Sequence, residues 1–539
     1  MVKKQPNKSK LYTGVRMIQI VLSDRAYDNE VYQIVKAFYP LDEIEISTAS
    51  SDISMIFKNI KNNEDKKYES LDIIDDLSHE VIDITHIIMA FESQQKNDYN
   101  RHHIGLEVRD NKKRKYRSYI VAPDPIKEKP TYKNAMKRQL YRMLSTLSKK
   151  ELPWGILTGI RPTKIIYDML DKGMDEKEIH ESMEKEFICS KEKLDMSIGI
   201  ASRERELLNE IDYKNGYSLY IGIPFCPSNC LYCSFTSFSL EKFGDRVDDY
   251  LKALEKEIRY GTTCFPNKKL TTVYLGGGTP TTLSAKQLDR LLGLIRSQYD
   301  FTYVREFSVE AGRPDSITKE KLEVLKKWGV DRISINPQTM QQRTLDLIGR
   351  RHTVEQIVEA FNLARQTGHN NINMDIIIGL PGESPEDVSD TLKKIKSLNP
   401  DSLTVHTLAV KRAARLNTEK EHYLGLQAKD VPGMLDVSMS FAKENNYIPY
   451  YLYRQKNMVD NLENIGYARY GKEGLYNILI MEERQTILAL GAGGVSKFVS
   501  HEKRRHKRVE NVKSLIDYIS RTDEMIKRKQ DFIVKNPYI

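Results

Sequence analysis

From Ser218 to about residue 410 one pattern repeats: a short β-branched run, a polar or glycine-rich turn, then an amphipathic helix. The runs fall at 219–223, 271–275, 306–310, 331–335, 371–377 and 402–406. Six βα units in series predict parallel strands with right-handed crossovers, since a parallel neighbour can be reached only through a connection long enough to hold a helix. The expected class is α/β, a TIM-like partial (β/α)6 barrel. Its site is expected at the carboxyl ends of the strands.

The remaining chain divides by texture. Residues 1–130 alternate β-like runs with helical stretches, an α+β module, and 131–214 read as a helical connector rich in Lys, Glu, Met and Leu. A boundary is expected near Asn215-Gly216, so that 215–410 form the core and 411–539 a mixed extension ending in a basic, helical tail with His501-Glu-Lys-Arg-Arg-His-Lys-Arg508. No apolar run approaches the roughly 20 residues needed to span a bilayer, and the start has no continuous apolar signal segment. A cytoplasmic protein without a membrane span is expected.

Three of the five cysteines lie within eight residues, which excludes a disulfide framework and indicates metal ligation in a reducing compartment. Cys189 and Cys264 read as buried thiols, and His102 and His103 as isolated side chains. The triplet Cys226, Cys230 and Cys233 has CxxxCxxC spacing directly after the first predicted strand. Three thiolates can ligate three irons of a cubane and leave the fourth open to a chelating ligand. A zinc site completed by a distant His or Asp, or a cluster used only for electron storage, are the alternatives, and zinc more often takes two close ligand pairs. At the end of the second run, Gly276-Gly-Gly-Thr-Pro-Thr-Thr-Leu-Ser284 can bring bare backbone close to a ligand.

Together the triplet, the glycine run and the six βα units resemble the radical S-adenosylmethionine (SAM) superfamily. Ile223-Pro-Phe-Cys226, Arg332-Ile-Ser-Ile-Asn-Pro-Gln338 and Asp375-Ile-Ile-Ile-Gly-Leu-Pro381 are similar to the oxygen-independent coproporphyrinogen III dehydrogenase family. Val309-Glu-Ala-Gly-Arg-Pro-Asp315, Pro153-Trp-Gly-Ile-Leu-Thr-Gly-Ile-Arg-Pro162 and Tyr450-Tyr-Leu-Tyr-Arg-Gln-Lys456 resemble its HemZ-type branch. The resemblance implies a [4Fe–4S] cluster on the three cysteines and one or two SAM molecules. It places Tyr220 against the cluster and SAM region, Gly277, Gly278 and Thr279 on the methionine amino group, and Glu310, Gln338, Arg350 and Asp375 on SAM. Ala409 and, with Val495, the Gly491 turn match more loosely. For Arg350, with Arg351 beside it, a surface arginine is the alternative; Asp375 lies in an otherwise apolar run, where an unpaired carboxylate is costly.

The implied activity is a radical SAM oxidoreductase, in which a 5′-deoxyadenosyl radical takes hydrogen from a propionate and loss of CO2 and an electron leaves a vinyl group. Coproporphyrinogen III would thereby become protoporphyrinogen IX, in porphyrin and haem biosynthesis. The implied partners are the tetrapyrrole and a low-potential electron donor such as flavodoxin or ferredoxin. Arg313, Arg412 and Arg454 are candidate carboxylate contacts. Two departures keep other readings open. Phe235 stands where the dehydrogenases carry a further cysteine, as in related haem chaperones, yet the chaperones' His-Asn-x-x-Tyr-Trp signature is absent, Gly474-Leu-Tyr-Asn-Ile478 being the nearest stretch. A haem-handling protein is one alternative. An enzyme acting on RNA is another, through the runs at 503–508 and Lys112-Lys-Arg-Lys-Tyr-Arg117, although nucleic acid is not the expected partner. The formal charge of +9 does not discriminate among these.

Overall fold

The computed structural model describes residues 16–40, 42–48, 80–96, 99–159, 161–233, 237–409, 428–454, 462–501 and 505–536; Phe235 and Arg412 lie outside them. The chain forms two compact units, one of residues 1–159 with 173–195 and one of 160–172 with 196–539.

In the first unit, β1 (Met17–Leu22), β2 (Glu43–Thr48), β3 (Ile84–Lys96), β4 (Tyr99–Asp110) and β5 (Lys115–Ala122) form a mixed sheet in the order β2-β1-β3-β4-β5. Alternation in β1 turns Ile18, Ile20 and Leu22 inward, onto Val31, Ile34, Val35 and Phe38 of helix Asp28–Phe38 and onto Leu140, Met143 and Leu144 of helix Lys129–Ser148. Within the run at Lys112–Arg117, Lys112 pairs with Glu80, Arg114 with Asp110 and Glu80, and Arg117 with buried Glu107, while Lys113 and Lys115 are exposed. His102 bonds Ser93 and His103 stacks on Tyr119. Cys189 is buried, its thiol donating to the Trp154 carbonyl.

The second unit holds β6 (Gly216–Ile223), the two-residue pair β7 (Phe225–Cys226) and β8 (Phe238–Ser239), β9 (Lys269–Gly277), β10 (Glu306–Gly312), β11 (Arg332–Gln338), β12 (Ile372–Ile378) and β13 (Ser402–Thr407). After helix Val431–Glu444 come β14 (Ile448–Tyr453), β15 (Asn464–Ala468), β16 (Thr486–Leu490), β17 (Val495–Ser500) and β18 (Arg505–Glu510). The six expected runs are neighbouring parallel strands, β6-β9-β10-β11-β12-β13. A seventh parallel strand, β16, joins β6 from far along the chain. The larger sheet runs β14-β15-β13-β12-β11-β10-β9-β6-β16-β17-β18, with β14 and β18 at its edges.

Crossover helices are started by local chemistry. Ser284 with Gln287 and Thr353 with Gln356 form reciprocal capping boxes, and Thr318 caps helix Lys319–Lys327. Cys264 is a buried thiol, as expected. The tail differs from expectation. Residues 505–510 are the strand β18, paired antiparallel with β17, before two short terminal helices. The His-Lys-Arg sequence suits an edge strand, where exposed charge discourages further pairing.

Candidate functional site

The cysteine loop is held from both sides by backbone. Gly278 N–H donates to the Ile223 carbonyl and Thr279 N–H to that of Phe225, both at 2.7 Å, while Phe238 N–H closes on the Pro224 carbonyl at 2.7 Å. Glycine is demanded at both central positions of the run. Gly277 has φ +108°, and a methyl group on Gly278 would stand 2.5 Å from the Phe225 oxygen. The Thr279 hydroxyl faces Cys226 Sγ at 3.7 Å. With those N–H groups engaged, the backbone of this loop offers a ligand carbonyl oxygens, which suits an amine.

A cavity of about 350 Å3 opens at the cysteines. It is lined by Cys226, Cys230 and Cys233, by Gly277, Gly278 and Thr279, by Glu310, Gln338, Arg350, Asp375 and Ala409, and by side chains deeper between the strands. Tyr220 does not line it. Its ring stacks near those of Tyr274 and Tyr476, with its hydroxyl beneath Gly277, and of these three tyrosines Tyr274 reaches the cavity. The Gly491 turn lies outside the lining, Gly491 N–H being bound by Glu257. Of the candidate propionate contacts, Arg454 is buried and outside the lining. Arg313 lines the cavity with its guanidinium engaged by Asp315 and Ser228.

Several lining residues escaped the reading of the sequence: Tyr274, Arg332, Ser334, Asn336, Asn373, Thr404, His406, Tyr451, Tyr453, Asn464, Asn477 and Met481. The available signal was a period of two. Parallel strands covered on both faces read as nearly continuous apolar runs, yet β11 carries Arg332, Ser334, Asn336 and Gln338, and β12 carries Asn373 and Asp375, at alternate positions. Those positions face the cavity.

Electrostatics separate the two carboxylates. Glu310 accepts a 2.5 Å hydrogen bond from the Tyr274 hydroxyl; burial first, then neighbouring Asp375, push its pKa up to about 7 against the opposing pull of Tyr274, Gly277 N–H and His406. Asp375 is half-buried like Glu310, but His406 Nε2 at 3.7 Å, Asn373 Nδ2 at 2.6 Å and Thr404 outweigh desolvation and hold it below the ordinary aspartate value. Arg350 is 4% exposed, unlike its exposed neighbour Arg351, which settles the surface alternative against Arg350. Gln338 adopts φ +68°, a left-handed conformation that costs a non-glycine residue about 1–3 kcal/mol and is typical of ligand sites.

Three buried lining atoms have no hydrogen-bond partner among the described residues: Gln338 Oε1, Asn336 Oδ1 and Arg350 Nε. Each orphan costs about 1–3 kcal/mol. Two acceptors and one cationic donor facing one cavity fit a ligand carrying both an amine and a carboxylate, and three thiols at its mouth fit three irons of a cubane.

The Radical SAM superfamily profile matches residues 220–395. The chain is a radical SAM protein, and a [4Fe–4S] cluster and SAM are the cofactors of that class. It is 44% identical over 390 residues to the oxygen-independent coproporphyrinogen-III oxidase-like protein HemZ of Bacillus subtilis, covering 71% of this chain and 78% of that one. Within the superfamily it therefore belongs to the oxygen-independent coproporphyrinogen III oxidase-like family. The heme chaperone HemW of Bacillus subtilis is 38% identical over 194 residues, 36% of this chain and half of that protein. The solved coproporphyrinogen III oxidase HemN of Escherichia coli aligns with 60% of this chain and 73% of its own, at 25% identity and a TM-score of 0.48. Among the described residues no helix is long and apolar enough to cross a membrane.

Proposed function

We propose that this protein carries out the oxygen-independent oxidative decarboxylation of coproporphyrinogen III propionates to vinyl groups, giving protoporphyrinogen IX. The observation that carries the reading is the cavity itself, which runs from the three cysteines past the two carboxylates to a polar floor at Arg332 and Asn477. When bound, the reduced cluster and SAM supply the radical that removes hydrogen from a propionate β-carbon.

The chain's own residues bind and orient. Cys226, Cys230 and Cys233 hold the cluster on a loop stapled to the glycine run. The carbonyls of Gly277 and Gly278, beside Thr279, and Gln338 Oε1 accept from the SAM ammonium, while Glu310 and Asp375 accept from its hydroxyls and amine. Ala409 gives the adenosine a small apolar wall. Tyr451 and Tyr453, stacked 7° from parallel at 6.2 Å, present flat apolar area suited to a tetrapyrrole face. A low-potential flavodoxin or ferredoxin would deliver the electron.

The test is anaerobic: reconstituted protein is reduced and given SAM and coproporphyrinogen III, and 5′-deoxyadenosine and tetrapyrroles are followed by mass spectrometry. Loss of two carboxyl groups coupled to 5′-deoxyadenosine is expected. SAM cleavage with an unchanged tetrapyrrole overturns the assignment, and stoichiometric haem binding without turnover would replace it by the haem-handling reading that the HemW likeness favours.

Glu310 makes SAM affinity depend on pH. A carboxyl raised to about 7 is largely protonated below neutrality, whereas a ligand with a sulfonium and an ammonium selects the ionised form, so binding must expel a proton there. Affinity should fall about tenfold per pH unit below 7 and level off above it. Titration calorimetry in buffers of different ionisation enthalpy measures the proton released. An unchanged pH slope in Glu310→Gln would assign the proton elsewhere.

A further inference from the structure

Two guanidinium groups converge on one cysteine of the triplet. Arg313, 3% exposed, follows β10, and its Nε and Nη2 grip the Asp315 carboxylate at 3.0 and 2.5 Å. Its remaining Nη1 donates to Ser228 Oγ at 2.7 Å and to the Ser228 carbonyl at 3.2 Å, and stands 4.0 Å from Cys230 Sγ. Arg350, hydrogen-bonded to the Asn336 carbonyl, lies close enough to Cys230 and Tyr232 to interact with both electrostatically. Among the described residues no carboxylate pairs with Arg350. A buried cation without a counter-ion is costly, and three thiolates around a cubane supply the missing negative charge.

We propose that Arg313, oriented by Asp315, tunes the reduction potential of the cluster through Cys230. Reduction adds one electron and makes or breaks no bond, so the cluster becomes more negative by one charge in a dry environment. Cationic N–H groups aimed at a ligating sulfur stabilise that state over the oxidised one and bring it within reach of a low-potential donor. The fork on Asp315 fixes the direction of Nη1, which a lysine's rotatable ammonium would not do. Asp315 partly cancels the Arg313 charge and also feels Arg350; His352 beside it has its pKa lowered by burial and by Arg350 and stays neutral. The inference rests on the cluster and not on the substrate.

The test is a redox titration of the reconstituted full chain, followed by electron paramagnetic resonance without SAM or substrate. In Arg313→Gln the ratio of reduced to oxidised cluster at fixed donor potential should fall about tenfold, a midpoint about 59 mV lower for one electron. Asp315→Asn should move it the opposite way, because the arginine charge is then uncompensated. A loop that is merely loosened shifts both variants in the same direction, and that result overturns the proposal. So does an unmoved midpoint in an Arg313→Gln protein holding a full cluster. Should Arg313→Gln fail to take up iron, Arg313→Lys keeps the charge without the fork; its midpoint must lie below the wild type's and that of Asp315→Asn above, and any other order overturns the proposal.

Discussion

Replacing Gly278 by alanine should leave the protein folded and strip it of most of its cluster. The added methyl would meet three backbone atoms, the Phe225 oxygen at 2.5 Å, the Ile223 oxygen at 2.9 Å and the Phe225 carbonyl carbon at 3.0 Å. None is the end of a flexible side chain, so a main-chain segment must move. The segment that yields carries Cys226, and its departure also strains the paired 2.7 Å hydrogen bonds from Gly278 and Thr279. Overpacking of this kind costs about 1–3 kcal/mol, small against the stability of so large a unit. A shift of about 1 Å at a reacting centre can cost about 100-fold in rate. Bound iron and sulfide per chain after reconstitution, with SAM cleavage at saturating reductant, give the readout. Gly244→Ala is the control, since nothing lies within 4 Å of its added carbon. Full iron and normal cleavage in the Gly278 variant would mean that the glycine run does not position the cysteine loop.

Lys529→Met should destabilise the second unit without touching the cavity. Glu257 and Lys529 are both fully buried and pair at 2.7 Å. The carboxylate is saturated: Oε1 also accepts from Asn511 at 2.8 Å, and Oε2 from Gly491 N–H at 2.7 Å and Tyr518 at 2.6 Å. Removing the ammonium leaves a carboxylate charge with no cation, which costs about 3–5 kcal/mol. For a unit of this size the melting midpoint should fall by roughly 5 °C. The network ties the turn after β16 to helix Val247–Gly261 and to the terminal helices Leu515–Ser520 and Thr522–Lys535. The double variant Glu257→Gln with Lys529→Met should recover part of the loss, because no unpaired charge then remains. Equal melting of Lys529→Met and wild type would show that water or a shifted side chain replaces the ammonium.

Residue order alone was enough to read the six parallel strands, the cysteine loop after the first of them, and the glycine run after the second. These are local properties: β-branched runs, caps and turn residues act over a few positions, and an eight-residue cysteine spacing needs no tertiary partner to be recognised. It also marked Asp375, as a carboxylate interrupting an apolar run, while Glu310, Gln338 and Arg350 came from the resemblance of their motifs. Tertiary structure decided what depends on residues distant in the chain. β16 completes the parallel set beside β6 across more than two hundred residues, and its short TILAL run carries no signal of its partner. Tyr220 and Tyr274 are register partners on adjacent parallel strands with stacked rings, and only Tyr274 lines the cavity. Arg313, read as a contact for substrate carboxylates, turned instead to Asp315 and the cysteine loop, since a guanidinium's partner is fixed by where the backbone carries the nearest anion. The same holds for the pKa values that separate Glu310 from Asp375. Two carboxylates on strands β10 and β12 look alike in sequence, and only their surroundings, burial beside Asp375 for Glu310 and His406 with Asn373 for Asp375, make one hold a proton near neutrality and the other a charge.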